Sequence, residues 1–323
     1  MRIAAYGLAC LLAILVLNDS ASAQPFPNKP IRVIIGFAAG GPADVMARLV
    51  AQRMPQILGQ PFIIENRPGA GGSIAAKFVA ESDPDGYTLL LGNTSNQVIS
   101  PVLYTNVGYD PAKAFAPVAM LGSTSNLLVV NPNFAAKSVK DIVAMAKEKP
   151  GKLNYASPGV GTPPHLNGEM FKLRAGIDMV HVPYKGGGHS SQAVIAGNVE
   201  MTFENPAVSL PYVQGGRLRA LAVTNDTRNR QAPDIPTMVE AGVPDFVSVS
   251  FTGIVAPAGT PPAVIARLNV AIVESMKSAE VQSALDKLGV DTRVGTPEEF
   301  ASFLAREREK WGALIRAANI KPE

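Results

Sequence analysis

Two loops of small residues in this sequence have the composition of binding sites for a negatively charged group. The first loop, Gly36–Gly41, follows an apolar run and precedes Pro42, where a helical pattern begins. Proline is tolerated at the first helical position because the N–H that it lacks would be unpaired there. The backbone N–H groups at the start of a helix have no partner within it, and the helix dipole favours negative charge there. The pattern predicts an anion-binding site, although the tight turn of any α/β unit would use similar residues.

The second loop, Ser157–Thr162, repeats this arrangement in the middle of the chain and also leads into a helical pattern. Ser157 and Thr162 bring hydroxyl donors to it. His165 follows one helical turn later, where its imidazole either donates to a ligand oxygen or caps the loop. Two such loops would hold one ligand between them if they faced each other across a cleft.

Asp44 stands at the third helical position after the first loop. A carboxylate there can satisfy the free N–H groups of the helix, and we favour this capping role over direct ligand contact. Arg48, one turn further along, either pairs with a carboxylate or is solvated.

Two further glycine-rich segments fail the nucleotide-binding motifs. In Asn66–Gly72 the last position of the dinucleotide pattern falls on Ile74, so close packing of loop and helix is the better interpretation. Tyr184–His189 lacks the Gly-Lys-Ser/Thr ending of a phosphate-binding loop. Within it we expect Lys185 to be solvated, and Tyr184 either to contact the ligand or to lie at the edge of the core.

Glu204 follows a buried apolar run and is positioned to reach a cleft. There it would favour a ligand amine or hydroxyl and disfavour a second carboxylate. These features together define the candidate ligand-binding residues. They are Phe37, Ala38, Ala39, Gly40, Gly41, Asp44, Thr94, Ser157, Gly159, Gly161, Thr162, His165, Tyr184, Gly187 and Glu204.

The elements that must position these loops alternate between strand and helix. Apolar runs predict strands at 31–35, 61–65, 87–91, 115–121, 126–130, 153–156, 179–182, 200–203, 218–223 and 251–256. Helical patterns occupy 42–58 (kinked or ended at Pro55), 73–80, 138–149, 162–175 and 190–196. Residues 224–244 are predicted to be irregular, without a helix or strand. Such alternation predicts parallel strands with helices on both faces of the sheet, which is the α/β class.

The alternation breaks where 115–121 and 126–130 follow one another as strands. A chain that crosses from one domain to another would do this, and 251–256 is a candidate for the return. We therefore predict a discontinuous domain of residues 24–124 plus 225–323 and an inserted domain of residues 125–224.

The C-terminal segment is predicted to be helical, with a strand-like interruption at 290–294. Thr296 and Glu299 have the spacing of a capping box at a helix start. Trp311 is predicted to dock this helix on the core, and Arg306–Lys310 to be a solvated face.

Residues 1–23 have the pattern of an export signal, with Arg2, an apolar core at Ala4–Leu17 and the cleavage sequence Ala21-Ser-Ala23. The mature chain is expected to begin at Gln24, outside the inner membrane. Cys10 is the only cysteine, so removal of the signal leaves no thiol for disulfides, nucleophilic catalysis or metal binding.

Composition and motifs argue against several other functions. The net charge of +3, with no Lys/Arg block, does not favour nucleic-acid binding. His165, His181 and His189 lack the i, i+4 pairing of a helical zinc site. No Gly-x-Ser-x-Gly elbow is present in the sequence. We expect no cofactor and no metal, and catalysis finds little support.

Five segments resemble, in order, the tripartite tricarboxylate transporter substrate-binding proteins, also called Bug receptors. They are Gly40–Arg48, Glu65–Gly72, Asp83–Leu90, Pro183–Gly186 and Ala256–Pro261, and the resemblance covers essentially the whole mature chain. It implies a periplasmic two-domain protein of the type II, Venus-flytrap architecture. It also implies that the first and second loops grip a ligand carboxylate, largely through backbone groups and ordered waters, and that two membrane subunits receive the ligand.

The sequence departs from the usual pattern of this family at three places. Ala39 stands where a proline often precedes the paired glycines, Pro42-Ala43 replaces a commoner Ser/Thr-containing pair, and Glu204-Asn205 replaces Asp-Asn. Because fewer side-chain donors remain, the grip of the first loop should depend on backbone N–H groups.

The hypothesis from the sequence is an exported, cofactor-free, monomeric binding protein for a small organic carboxylate, with membrane transporter subunits as its partners. A solute sensor that signals to a membrane partner is an alternative from a second class. A periplasmic enzyme acting on the same acids is the rival from a third.

Overall fold

The computed structural model describes residues 26–104, 106–184 and 186–321, with Pro42 described by its backbone alone. The predicted signal segment 1–23 and Lys185 lie outside the described residues. Strand and helix alternate along much of the chain as the sequence predicts, and the strands form two separate sheets. The expectation of parallel strands holds only in part, because both sheets also contain antiparallel pairs.

The first sheet has six strands, namely β1 (Ile31–Ile35), β2 (Phe62–Asn66), β3 (Thr88–Asn93), β4 (Phe115–Thr124), β10 (Ser250–Pro257) and β11 (Asp291–Thr292). Their order across the sheet is β11-β4-β10-β3-β1-β2. β1 pairs in parallel with β2 and β3, with Val33 opposite Ile64 and Leu89. β10 returns from a distant part of the chain and runs antiparallel to both β3 and β4.

The second sheet has five strands, namely β5 (Leu127–Val130), β6 (Asn154–Ser157), β7 (Val180–Pro183), β8 (Met201–Glu204) and β9 (Arg219–Val223). Their order across the sheet is β7-β6-β8-β5-β9. β6 is parallel to β7 and β8, whereas β5 is antiparallel to β8 and β9. All strands of this sheet lie between β4 and β10 in the chain, so the second sheet is inserted within the first.

The helices pack on these sheets. Their bounds are Pro42–Ala51, Met54–Leu58, Ser73–Ala80, Ser100–Leu103, Val139–Glu148, Pro163–Ala175, Gly187–Ile195, Pro206–Gln214, Pro262–Met276, Ala279–Lys287 and Pro297–Ala317. A 3₁₀ turn occupies Ala70–Gly72 and a wider π-type turn occupies Ser95–Ile99. No helix among these described residues has both the length and the apolarity needed to cross a bilayer.

The predicted helix 42–58 is two helices. The first ends at Ala51, and the second begins at Met54, so that Pro55 lies in its first turn. A proline there removes no hydrogen bond, because the first N–H groups of a helix have no partner within it. The expectation that Pro55 kinks or ends one long helix is therefore wrong; the break comes before it.

The C-terminal helix Pro297–Ala317 confirms the predicted capping box, with Thr296 and Glu299 bonding reciprocally. Trp311 is fully buried, which confirms its docking role, and its Nε1 donates to Glu307 Oε2 at 2.8 Å. Glu307 is itself buried and accepts from Lys310 Nζ at 2.6 Å. The predicted solvated face at 306–310 is thus wrong at Glu307, because the indole N–H needs an acceptor inside the core.

One buried cluster contains residues of both sheets and of the helices packed on them. It contains Ile34 and Leu90 from the first sheet and Leu128 and Phe203 from the second. Within it Phe203 stacks on Phe246 at a centroid distance of 5.9 Å. The two sheets therefore share one continuous apolar core.

Candidate ligand-binding site

A cavity of about 700 Å³ lies between the two sheets. Most of its lining follows the ends of strands, as expected for ligand sites in α/β folds. The lining residues are Phe37, Ala38, Ala39, Gly40, Gly41, Ala43, Met46, Asn93, Thr94, Ser95, Thr124, Asn126, Pro163, Pro164, Glu204, Asn205, Ser250, Phe251, Thr252, Leu288 and Val290. Residues from both sheets therefore face one shared space.

The first loop forms one wall of this cavity and keeps several backbone N–H groups unpaired. It connects β1 to the helix Pro42–Ala51, and Gly40 turns the chain with φ of +83°. Within the described chain, the amides of Ala38, Ala39 and Ala43 make no hydrogen bond, and the helix has no side-chain cap. These donors and the positive end of the helix dipole favour an anion at this wall.

Asp44 lies beneath the first loop rather than in the cavity, and it is 2% exposed. Its Oδ2 accepts from the Gly40 amide at 2.9 Å and from Arg48 Nε at 2.8 Å. Its Oδ1 accepts from Arg48 Nη2 and from Asn66 Nδ2. The Arg48 hydrogen bonds lower the pKa of Asp44 to about 2, against the opposing effect of burial. Asp44 thus holds the loop at Gly40 while its charge is paired within the protein.

Asn66 belongs to the glycine-rich segment Asn66–Gly72 and supports the same loop. Besides Asp44, its Nδ2 donates to the Phe37 carbonyl at 3.0 Å. A Cβ on Gly36 would lie 2.5 Å from the Gly72 Cα, so the two segments pack backbone against backbone. The interpretation of this segment as a packing motif is confirmed by that contact.

The second loop uses its glycine amides internally. Gly159 donates to Ser157 Oγ at 3.1 Å, and Gly161 donates to His165 Nδ1 at 3.0 Å. Thr162 Oγ1 donates to the Gly159 carbonyl at 2.7 Å. The helix that follows begins with Pro163 and Pro164, which have no N–H to offer and which border the cavity. This wall is therefore poorer in donors than the wall made by the first loop.

A histidine pair lies under the second loop. The rings of His165 and His181 stack with centroids 3.9 Å apart, and Ser157 Oγ lies 2.7 Å from His181 Nε2. Burial lowers the pKa of both imidazoles to about 4. A neutral His165 can accept the Gly161 N–H at Nδ1, which is the capping role considered from the sequence.

Glu204 ends β8 on the cavity wall of the second sheet and is 4% exposed. Its Oε1 accepts from the Asn205 amide at 2.9 Å and its Oε2 from Ser190 Oγ at 3.1 Å. Gly187 gives the carboxylate room, because a Cβ there would come within 2.7 Å of Oε2. Burial raises the pKa of Glu204, and the two hydrogen bonds oppose this rise.

The structure brings together about half of the candidate residues. Those that border the cavity, within the described part of the chain, are Phe37, Ala38, Ala39, Gly40, Gly41, Thr94 and Glu204. Asp44 lies directly behind the first loop. The remaining candidates are set back from this cavity, namely Ser157, Gly159, Gly161, Thr162, His165, Tyr184 and Gly187. Their role in binding stays a prediction.

Several lining residues were missed from the sequence. Asn93 and Ser95 flank Thr94 at the end of β3, and Thr124 and Asn126 mark the crossing between sheets. The rule that ligands bind beyond the carboxyl ends of parallel strands could have found Asn93 and Ser95, which end and follow β3. Leu288 and Val290 follow a surface helix, and no local pattern distinguishes them.

The chemistry of this cavity is that of binding. Across the residues 26–104, 106–184 and 186–321, no cluster of three or more His, Cys, Asp or Glu could hold a metal ion. The polar groups at the cavity are backbone amides, hydroxyls, side-chain amides and the carboxylate of Glu204. Such groups can orient an organic anion by hydrogen bonds.

Comparisons with known proteins place this chain in one family. The family model described as tripartite tricarboxylate transporter family receptor matches residues 46–320. Protein BugT of Bordetella pertussis is 36% identical over 301 residues, which cover 93% of this chain and 92% of that protein. A Rhodopseudomonas palustris protein solved with adipate has a TM-score of 0.78 at 33% identity, covering 92% of this chain and 100% of its own. MatC from the same species, with bound malate, has a TM-score of 0.74 at 32% identity, covering 90% and 100%.

The fold and cleft define a two-domain periplasmic solute-binding protein of type II architecture, which confirms the predicted fold class. The chain belongs to the tripartite tricarboxylate transporter receptor family, so the resemblance to Bug receptors is confirmed. Because this is a family of solute-binding receptors, the protein is a receptor and not an enzyme.

Proposed function

We propose that this receptor captures a small organic carboxylate in the cavity and delivers it to the membrane subunits of a tripartite tricarboxylate-type transporter. It would work in the periplasm as a mature, monomeric chain that begins at Gln24. The two domains, 24–124 plus 225–323 and 125–224, would close on the ligand. Closure would bring the second loop, with Ser157 and Thr162, towards the bound anion.

The observation that carries this proposal is the set of unpaired amides at Ala38, Ala39 and Ala43 on the cavity wall. A carboxylate placed there would accept several charge-assisted hydrogen bonds at the start of a helix. Hydrogen bonds to a charged group contribute about 1.5–3 kcal/mol each, more than neutral ones. A neutral ligand would gain less from the same donors.

Relatives support the ligand class. The two R. palustris structures hold adipate and malate, and both ligands are carboxylates. Their whole length is covered by this chain, so a receptor for the same chemical class is the natural expectation.

Isothermal titration against a panel of mono-, di- and tricarboxylates tests the proposal, with two variants of one residue. Ala43→Pro removes one unpaired N–H at the cavity wall, in the first helical turn. The Pro163-Pro164 start of another helix in this chain has the same arrangement. Ala43→Ser keeps the N–H and is the control.

We expect Ala43→Pro to weaken carboxylate binding about 10-fold or more, since one hydrogen bond to a charge is lost. Ala43→Ser should stay within about threefold of wild type on the same scale. If no carboxylate in the panel binds, or if both variants bind as wild type does, the proposed site is wrong.

A further inference from the structure

The charges around the cavity are strongly asymmetric. Among the described residues, no Lys, Arg or His side chain borders it, and Glu204 is the ionisable group that does. Asp44, the other acid nearby, is turned away and paired with Arg48. One wall thus offers backbone N–H donors for a single anion, and the opposite sheet offers a carboxylate.

The Glu204 side chain is held firmly in this position. Each of its oxygens accepts one hydrogen bond from the protein, from the Asn205 amide and from Ser190 Oγ. A carboxylate oxygen can accept two, so each retains a site for a ligand donor. Gly187 packs against the carboxylate as well, since a Cβ there would lie 2.7 Å from Oε2 and 2.9 Å from Oε1. Glu204 therefore borders the cavity with acceptor capacity left on its carboxylate, and no Lys, Arg or His among the described lining residues stands beside it.

Apolar side chains occupy much of the remaining wall. Phe37 and Met46 come from the first domain next to the anion-binding amides, and Pro163 and Pro164 stand on the other side. Phe251 and Val290 complete these surfaces. A ligand body that lies between the two polar ends would gain from being apolar.

We infer that the preferred ligand of this receptor is an amphipathic monocarboxylate whose far end carries a hydroxyl or amine that donates to Glu204. This inference rests on the proposed function and names the ligand class within it. A dicarboxylate would set its second charge against Glu204 in a partly desolvated space with no neighbouring cation. Such like-charge contacts disfavour binding strongly. The receptor should therefore discriminate against acids such as adipate, although a relative was solved with that ligand.

Three six-carbon acids with matched chains test this inference by isothermal titration: 6-hydroxyhexanoate, hexanoate and adipate. They differ at the far end alone, which is a donor, a methyl group or a second carboxylate. The variant Glu204→Gln keeps the side-chain size and removes the charge. Glu200→Gln is the matched control, because Glu200 bonds Asn154 away from the cavity. Thermal melts establish that each variant is folded.

Wild type should bind 6-hydroxyhexanoate at least 10-fold more tightly than adipate and about fivefold more tightly than hexanoate. Glu204→Gln should reduce the first ratio to below about threefold, and Glu200→Gln should leave it unchanged. Tighter binding of adipate by wild type, or an unchanged ratio in Glu204→Gln, would overturn the inference and leave the carboxylate receptor standing. Failure of all three acids and of the wider carboxylate panel would remove both proposals.

Discussion

The backbones of Gly36 and Gly72 touch so closely that a Cβ on Gly36 would lie 2.5 Å from the Gly72 Cα and 3.0 Å from its carbonyl oxygen. Gly72 adopts a φ of +87°, and a Cβ built on it would lie 3.2 Å from the Phe37 ring and 3.3 Å from Asn96 Nδ2. Gly72 therefore has little room to move away from Gly36. The position of the first loop, and of its unpaired amides, thus depends on two residues without side chains.

Gly36→Ala should therefore destabilise the protein and weaken ligand binding together. Overpacking of this kind costs about 1–3 kcal/mol, and the loop must move to accept the methyl group. Urea unfolding and titration with the best carboxylate of the panel measure the two effects.

Gly188→Ala is the control for that substitution. No atom lies within 4 Å of a Cβ at Gly188, which is in the helix Gly187–Ile195. Alanine there should be neutral or stabilise by up to about 1 kcal/mol. Equal stability losses in the two variants would refute the importance of the glycine contact.

Asp44→Asn should loosen the first loop from its support. The variant keeps one acceptor oxygen but loses the charge that pairs with Arg48, and we expect a loss of about 1–3 kcal/mol at neutral pH. Because the folded-state pKa is lowered to about 2, the contribution of Asp44 is present above its unfolded pKa of roughly 3.9 and disappears as pH falls through 2. The stability gap between wild type and variant should narrow in that window alone.

Urea unfolding at several pH values measures this gap, with Asp83→Asn as the control. Asp83 is exposed, and substitutions at such surface positions usually change stability by less than about 0.5 kcal/mol. A gap that stays constant down to pH 2 would show that the charge of Asp44 is not what supports the loop.

Local patterns predicted much of the fold because they agree with the tertiary structure. The strand Ile31–Ile35 and the helix Ser73–Ala80 have the predicted bounds, and both have clear periodicity or apolar runs. The helix Pro206–Gln214 was missed, since Pro211 in its interior argues against a helix. The Asn205-Pro206 start was an available signal, and Asn205 does cap the helix through the Ala207 amide.

The site was harder to predict, because hydrogen-bond partners come from distant parts of the chain. The sequence alone predicts two similar loops, and no local feature shows which of their backbone amides remain unpaired. In the fold, Ser157 and His165 accept the glycine amides of the second loop, whereas the first loop keeps its amides at Ala38 and Ala39 unpaired among the described residues. His181, which supports Ser157, lies on another strand. Which partner each amide has depends on tertiary contacts, and no sequence motif predicts them.

The histidine pair beneath the second loop predicts a pH dependence of stability. Burial lowers the folded-state pKa of His165 and His181 to about 4, whereas an unfolded histidine titrates near roughly 6.5. The unfolded state therefore binds more protons between these values, so their contribution is complete above pH 6.5 and is lost as pH falls towards 4. Each histidine adds a slope of up to about 1.4 kcal/mol per pH unit.

The groups that face this pair make the prediction specific. Tyr155 lies against both rings and donates to Glu169, whose carboxylate also accepts from Lys172 at 3.1 Å. Lys172 and the neighbouring imidazole oppose protonation of His181, while Glu169 favours it, and desolvation has the largest effect.

Replacing His181 with Gln should therefore flatten the stability profile between pH 6.5 and 4, which urea unfolding measures. His189→Gln, at an exposed histidine, should retain the wild-type slope; equal slopes in all three proteins would show that the buried pair does not titrate in this range.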